Sequence, residues 1–375
     1  MTVKRLIAAS LMIGCLAVSG CGGGGSDTVS FNDSNYYWNN DWQYDDPEED
    51  DYYYRPYVAI ADFGKSKLIM LERNSIDEGS PWSFNVDLDT SPKTVAYSHY
   101  DRMMYVGCGT YINAVYAYEN YFKTSVRTDD TVFLSSDFYS TIFGGWQRTG
   151  DFTYFAGDPS GNIYKYDNVW AGGSPVHTAV SAYGYYAAVS GTGSDGRTVM
   201  IYDRDGKEHY SCPDAGNRGL DIFQDGTVCA VCAGSDGVFR LNMISPSGSI
   251  EKSITLSQMA NPWGVACVEY SDGSSEVFVT DCSESGQICV FDGINLTPSG
   301  TIKKTGMYTK HISRSPDDYT LYAVNQGDGK GNGASLTVIN PYYDFDEMVT
   351  GIVNLGESGR ILEGLSVMPY SESWR

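Results

Sequence analysis

Short apolar runs separated by turn residues dominate the chain from residue 57 onward. No stretch of ten or more residues there follows the 3.6-residue period of an amphipathic helix. Apolar or alternating runs end instead in Gly, Asp, Asn or Ser, which is typical of β-strands that lead into turns. The pattern therefore predicts an all-β protein.

One unit of three strands recurs along this region. An apolar strand opens after Pro or Gly, a second follows, and a third ends in Asp or Asn, most clearly in residues 262–292 and 310–340. The first strands start, about 36 to 53 residues apart, at Lys93, Thr141, His177, Arg218, Trp263, Lys310 and Glu363. A period of about 40–50 residues is typical of four-stranded propeller blades. We expect seven blades, with six or eight left open because the copy at residues 128–146 is weak.

The two ends of the repeat region complement each other. Residues 57–72 have the pattern of a second and third strand without a first, whereas residues 362–369 have that of a first strand alone. Pairing the two segments would complete one blade and close the ring, which leaves only short, protected sheet edges.

The clearest copy reads Pro262-Trp263-Gly264-Val265-Ala266, followed by Val277-Phe278-Val279-Thr280-Asp281. These segments resemble the NHL and YVTN groups of β-propeller repeats, and residues 308–340 also look like the seven-bladed lactonase family. The resemblance covers most of residues 57–370 and is strong in two blades. It implies the fold but no single activity, because propellers serve as enzymes, receptors and scaffolds.

The first twenty residues look like a bacterial lipoprotein signal peptide. Lys4 and Arg5 precede an apolar run of roughly 13 residues, shorter than the ~20 that span a bilayer. Val18-Ser19-Gly20-Cys21 resembles the lipobox, which implies that Cys21 receives a diacylglycerol before cleavage, is then N-acylated, and anchors the protein stably; a plain signal peptide is the alternative. The residue after the cysteine is Gly22 and not an aspartate, which by the same resemblance implies anchoring in the outer membrane rather than the inner one. We expect a lipoprotein outside the cytoplasm, at the periplasmic face or the cell surface.

These patterns divide the chain into three segments: a signal peptide (residues 1–20), a lipidated stalk (21–56) and the propeller domain (57–375). The stalk starts with a flexible Gly/Ser tether and continues with Asn, Asp, Tyr and Trp but almost no aliphatic residues, so we expect it to be disordered or loosely docked. Without Lys4 and Arg5 the formal charge falls from −22 to about −24. So acidic a chain is repelled by nucleic acid, which excludes nucleic-acid partners.

Seven cysteines follow Cys21, an odd number that cannot all pair within one chain. Cys229 and Cys232 lie three apart in a strand, so their sulfurs point to opposite faces, which argues against a redox or zinc motif. Cys282 and Cys289 would face each other if Ser285-Gly286 formed a two-residue hairpin loop. We expect either a disulfide there or two buried thiols.

Acidic and amide side chains end four of the second strands: Asp62, Asp158, Asp281 and Asn325. Such residues commonly bond the backbone amides of a turn. Alternatively, they join Glu363 in holding calcium or magnesium in the channel, since these ions prefer oxygen ligands. Glu363-Gly364 is similar to the metal-binding Glu-Gly of gluconolactonase-like propellers.

The start of each first strand faces the central channel of a propeller. The expected ligand residues there are Lys93, His177, Arg218, Trp263, Lys310, His311 and Glu363. A basic channel mouth in an acidic body would attract a small anionic ligand such as a carboxylate or acidic sugar, with Trp263 as a stacking surface. Alternatively, these charges pair with neighbouring carboxylates and join the blades.

No recognisable set of nucleophile, base and orienting residue is present. We therefore expect a non-enzymatic binding or scaffold lipoprotein that needs no cofactor and holds an envelope protein or glycan. The alternative is a metal-assisted hydrolase of the lactonase type, with Glu363, Asp62, Asp281 or Asn325 around the ion. An electron-transfer or quinone-dependent dehydrogenase is disfavoured by the lack of a haem-attachment motif.

Overall fold

The computed structural model describes sixteen parts of the chain: residues 55–77, 81–88, 90–98, 103–109, 111–116, 123–127, 132–136, 142–146, 154–157, 163–166, 174–181, 186–192, 199–203, 217–328, 330 and 332–370. These residues form β-strands joined by short turns, with one short helix among them, α1 (Arg73–Asp77). The all-β prediction is confirmed. The lipobox and the stalk before residue 55 lie outside the described residues.

The strands of the first half of the chain are β1 (Tyr57–Asp62), β2 (Lys67–Glu72), β3 (Ser83–Asp87), β4 (Thr94–Ser98), β5 (Met103–Cys108), β6 (Tyr111–Tyr116), β7 (Lys123–Arg127), β8 (Val132–Ser136), β9 (Ile142–Trp146), β10 (Tyr154–Gly157), β11 (Ile163–Tyr166), β12 (Ser174–Val180) and β13 (Tyr186–Thr192). Those of the second half are β14 (Val199–Asp203), β15 (Asn217–Ile222), β16 (Val228–Ala233), β17 (Phe239–Ile244), β18 (Ile250–Thr255), β19 (Pro262–Glu269), β20 (Ser275–Asp281), β21 (Gln287–Asp292), β22 (Pro298–Lys303), β23 (Thr309–Arg314), β24 (Leu321–Asn325), β25 (Ser335–Ile339), β26 (Val349–Asn354) and β27 (Leu362–Val367).

Antiparallel sheets built from consecutive strands form the blades. Four-stranded sheets comprise β4–β7, β15–β18, β19–β22 and β23–β26, and β12–β14 form a three-stranded sheet. A fifth four-stranded sheet has the order β27-β1-β2-β3. The pairs β8–β9 and β10–β11 form two-stranded sheets.

The innermost strands pack side by side around a central channel. Around the ring, β27 packs against β4, β4 against β8, β8 against β12, β12 against β15, β15 against β19, β19 against β23, and β23 against β27. This closed ring of sheets is the β-propeller architecture, which confirms that part of the prediction.

The blade count differs from the prediction. Among the described residues, six blades have three to four strands, not the seven four-stranded blades expected. The prediction and the structure differ at the weak copy of the repeat. There the inner strand is β8 (Val132–Ser136), which packs between β4 and β12, and β9 begins after it at Ile142. The expected first strand after Thr141 is therefore wrong, and Thr141 itself lies outside the described residues.

Closure of the ring is confirmed. Strand β27 pairs antiparallel with β1, with Val58 opposite Val367 and Ile60 opposite Leu365. The last described strand thus supplies the innermost strand of the first blade. It shields the polar edge of β1, which would otherwise be unpaired.

Arg73 joins this first blade to the blade of β23–β26. Its guanidinium is fully buried and pairs with Asp317 at 3.2 Å and Asp318 at 3.0 Å. It also donates hydrogen bonds to the hydroxyl of Tyr322 and the carbonyl of Met368. A buried charge needs this degree of compensation to be tolerated.

Apolar side chains pack between neighbouring blades. Cys229 belongs to the cluster shared by the β15–β18 and β19–β22 sheets, whereas Cys232 belongs to the cluster towards β12–β14. The prediction that these two sulfurs point to opposite faces is therefore confirmed. Asp221 of β15 also spans this interface, because its carboxylate accepts a hydrogen bond from the amide of Cys267 in β19 at 2.7 Å.

The described residues contain no helix with the length and apolar character of a membrane span.

Candidate ligand site at the channel mouth

A β-bulge interrupts five of the inner strands close to the same end of the channel. In β19, Pro262 pairs with Asp281 and Val265 with Val279, so Trp263 and Gly264 together oppose one residue. Equivalent register shifts occur near the start of β12, β15, β23 and β27. Bulges re-aim side chains and are frequent beside functional sites. In four of these strands the bulge contains one of the residues predicted to face the channel: Arg218, Trp263, Lys310 and Glu363.

A glycine follows the channel residue in three of these strands. A Cβ atom on Gly219, Gly264 or Gly364 would lie 2.6 Å from a backbone carbonyl oxygen of the next blade. These oxygens belong to Trp263, Lys310 and Lys93 respectively. Each glycine therefore lets the neighbouring inner strand approach closely, which brings successive channel residues into contact.

Two of the predicted channel residues form an ion pair. The ammonium group of Lys310 lies 2.6 Å from Oε2 of Glu363, and Nε2 of Gln326 donates to Oε1 of the same carboxylate at 2.9 Å. Both carboxylate oxygens of Glu363 are thus bonded. This is the arrangement expected if the channel charges pair with one another and join the blades. Lys310 also lies 4.8 Å from the ring centroid of Trp263, within the range of a cation–π contact.

Arg218 has a different environment. Its guanidinium carbon lies 4.2 Å from the ring centroid of Trp263 and 5.6 Å from that of Phe239. No carboxylate of the described residues forms an ion pair with it, and burial lowers its pKa, opposed by the nearby Cys282 thiol. The guanidinium remains charged at neutral pH. The channel mouth therefore holds a stacked cation that no carboxylate of the described residues neutralises.

His177 and His311 meet across the channel. Nε2 of His177 lies 3.4 Å from Nδ1 of His311, and the ring centroids are 5.0 Å apart. Burial lowers the pKa of His177 to about 4. Burial, with contributions from His177 and Lys310, lowers the pKa of His311 to about 3. Both imidazoles are consequently neutral at physiological pH.

The strand register corrects the alignment of His177. Past its bulge His177 pairs with Ser190, just as His311 pairs with Val324. His177 is therefore equivalent to His311 and not to Lys310, a shift of one residue that the bulge produces. Lys93 lies exposed just before β4, where its amide bonds the carbonyl of Gly107 at 2.9 Å.

The polar residues at the ends of the second strands bond locally. Asp62 pairs with Arg360 at 2.8 Å, and Asp281 accepts from the amides of Ala260 and Asn261. Asn325 donates to Ser335 and Thr337 and to the carbonyl of Thr305. Each of the three joins its strand to the segment that enters the inner strand of the same blade. Asp158 lies outside the described residues.

These oxygens are held apart in separate blades. The described part of the chain contains no group of three or more His, Cys, Asp or Glu side chains arranged to hold a metal ion. The expected oxygen-ligand site for calcium or magnesium is thus not brought together among the described residues, which do not include Asp158.

Cys282 and Cys289 are free, buried thiols. Asp281 pairs with Gln287 and Val279 with Cys289, so the hairpin loop is longer than the expected Ser285-Gly286 turn. Cys289 therefore faces Val279 and not Cys282, so of the two alternatives the structure has the buried thiols and not the disulfide. Burial raises the pKa of the Cys282 thiol, which lies at the channel mouth near Lys310.

Gln326 and Phe239 belong to the site but were not predicted from the sequence. Gln326 directly follows Asn325, at the strand end where the chain reaches the channel mouth, and that position was a usable signal. Phe239 opens a third strand, and its contact with Arg218 depends on the packing of the blade.

No protein-family model and no curated protein matches the chain. Its likeness is to solved structures. A protein from Lactobacillus plantarum is 14% identical, with a TM-score of 0.58 over 84% of this chain and 100% of that one. The WD40 β-propeller domain of Doa1 is 12% identical, with a TM-score of 0.53 over 79% of this chain and 92% of that one. The chain has the β-propeller fold. A nidogen/laminin complex also matches, at 12% identity and a TM-score of 0.50 over 84% of this chain and 99% of that one. At these identities the likenesses concern the fold alone.

Proposed function

We propose that this protein is a lipid-anchored envelope or cell-surface β-propeller that binds a partner without catalysis, and that it takes an anionic group at the channel mouth. The partner is an envelope protein or a glycan that presents a carboxylate. The lipid anchor rests on the lipobox-like sequence that ends at Cys21.

The environment of Arg218 carries the proposal for the ligand. Lys310 is neutralised by Glu363, whereas Arg218 has no carboxylate partner among the described residues. A guanidinium stacked on Trp263 is held in place, so it loses little freedom when it forms a paired hydrogen bond with a carboxylate. The indole provides an apolar surface for the body of the ligand.

The hydrolase alternative has less support. It requires several oxygen ligands converging on an ion, but Asp62, Asp281 and Asn325 bond within their own blades. Glu363 has both carboxylate oxygens engaged by Lys310 and Gln326.

Ligand binding is tested with the full-length protein in detergent. Sodium glucuronate and the uncharged methyl glucoside are titrated while tryptophan fluorescence is recorded. We expect only glucuronate to bind, with an affinity that falls as salt is raised, because screening weakens charge pairing. Arg218→Met should weaken binding by about 10–100-fold, the equivalent of losing a hydrogen bond to a charged group.

Arg240→Met is the matched control, because it also replaces an arginine, but one that already has a carboxylate partner, Asp236, at 2.6 Å. Equal glucuronate affinity in the wild type and in Arg218→Met would contradict the proposed ligand site. The anchor is tested separately by incorporation of labelled palmitate in the producing cells. Label that persists in Cys21→Ser would contradict lipidation at that residue.

A further inference from the structure

The contact between His177 and His311 has no role in the proposed anion site. The two residues lie on β12 and β23, and the inner strands β15 and β19 stand between these in the ring. The 3.4 Å approach of their nitrogens therefore bridges the channel itself. Such a contact requires that both side chains extend inward at the same level.

The two intervening strands leave room for this bridge. Gly219 and Gly264 occupy the positions in β15 and β19 that are equivalent to His177 and His311, as the bulge register shows. Neither glycine places a side chain between the imidazoles. Of these four equivalent positions, two carry imidazoles and two are glycine.

Both imidazoles are suited to act as ligands. A neutral imidazole has one nitrogen that carries a lone pair and no proton, and this nitrogen is the one that binds a metal ion. Nδ1 of His177 is buried and has no hydrogen-bond partner among the described residues, so none of them fixes the tautomer of the ring from that side. Nε2 of His177 is therefore free to present its lone pair towards His311.

The spacing of the two nitrogens matches coordination of one ion. Nitrogen ligands bind zinc at about 2.0–2.1 Å, and with the nitrogens 3.4 Å apart the angle at the ion is about 110°. That is the tetrahedral angle. The 3.4 Å contact is also longer than the 2.7–3.2 Å that is usual when an N–H group bonds an oxygen.

We propose that His177 and His311 form a transition-metal site inside the propeller channel, for an ion of the Zn²⁺ or Cu²⁺ class. Imidazole nitrogen suits these ions, whereas calcium and magnesium prefer oxygen. The protein supplies two neutral ligands, so the ion keeps its full charge. The remaining coordination positions of the ion are left to water or to an incoming ligand.

The site is tested on the full-length protein after EDTA treatment and dialysis. Zn²⁺ is titrated by calorimetry, and Cu²⁺ is followed by electron paramagnetic resonance, in which coordinated imidazoles split the signal through their nitrogen nuclei. We expect one ion per chain and a two-nitrogen spectrum. His177→Ala and His311→Asn should each lose this binding event.

The other two histidines provide the matched control. A His99→Ala/His209→Ala variant should retain the binding event and the spectrum. Thermal melting in EDTA confirms that each variant is folded, and His311→Asn retains a polar atom near the position of Nδ1. Stoichiometric binding that survives both His177→Ala and His311→Asn, or no binding by the wild type, would overturn the proposal. Because Arg218→Met tests the anion site separately, either proposal can fail without the other.

Discussion

Gly264→Ala should destabilise the propeller, although it adds only one methyl group. The new Cβ would lie 2.6 Å from the carbonyl oxygen of Lys310 and 3.0 Å from the hydroxyl of Thr280. Ordinary contacts of this kind begin near 3.4 Å, so the carbonyl has to move by about 0.8 Å.

That movement disturbs a hydrogen-bonded link between two blades. The amide of Gly264 donates to the Thr280 hydroxyl at 2.8 Å, and this hydroxyl donates to the carbonyl of Lys310 at 3.1 Å. Overpacking of a well-filled site costs about 1–3 kcal/mol. We expect the free energy of unfolding to fall by that amount.

Gly351→Ala is the matched control and should have the opposite sign. The methyl group that it adds would lie 4.0 Å from its nearest neighbour, the side chain of Val338, which is normal contact. Removing the backbone freedom of a glycine without strain stabilises a protein by about 0.4–1 kcal/mol. Urea unfolding followed by circular dichroism measures both changes from the transition midpoints. Equal effects of the two substitutions would refute the argument that close approach of the inner strands requires Gly264.

Three further predictions concern buried polar groups. Arg73→Met should lower the free energy of unfolding by about 3–5 kcal/mol because it leaves the buried carboxylate of Asp317 without its counter-charge, whereas Arg240→Met, which breaks a partly exposed pair with Asp236, should cost at most about 1 kcal/mol; equal costs in urea unfolding would contradict this. Burial raises the pKa of Asp221 to about 6, so the folded state binds this proton more readily than the unfolded chain, and its contribution to stability falls as pH rises from about 4 to about 6. Asp221→Asn should remove that decline, and parallel pH profiles for the two proteins would exclude this assignment. Asn325→Asp replaces donors by acceptors beside two hydroxyls and a carbonyl and should lower the melting temperature, by the equivalent of about 1–3 kcal/mol; an unchanged melting temperature would argue against those hydrogen bonds.

The propeller and its closure were predictable because they depend on local patterns. Strand-like runs repeat at blade spacing, and residues 57–72 and 362–369 each lack the strands that the other supplies. The blade count was less accessible, because residues 132–166 show no clear first-strand signal. There the inner strand β8 begins before the position that the repeat spacing indicated.

The sequence predicted which residues line the channel mouth but not which of them contact one another. Arg218, Trp263, Lys310 and Glu363 do face one another, but the pairing of Lys310 with Glu363 depends on how adjacent blades pack. A bulge shifts the register by one residue without a visible sequence signal, so the equivalence of His177 with the position after Lys310 was missed. The partners of Arg73 come from residues more than 240 positions away, beyond any local pattern.

The pairing of β27 with β1 also sets an order of events during synthesis. A ribosome produces β1 first and β27 after every other strand described, so the first blade lacks its inner strand until residue 367 has been made. Until then β1 has an unpaired edge, and such edges recruit other strands and promote aggregation. A nascent chain therefore lacks the contact that closes the ring until β27 has been made, and a frameshift before residue 362 would prevent the ring from closing.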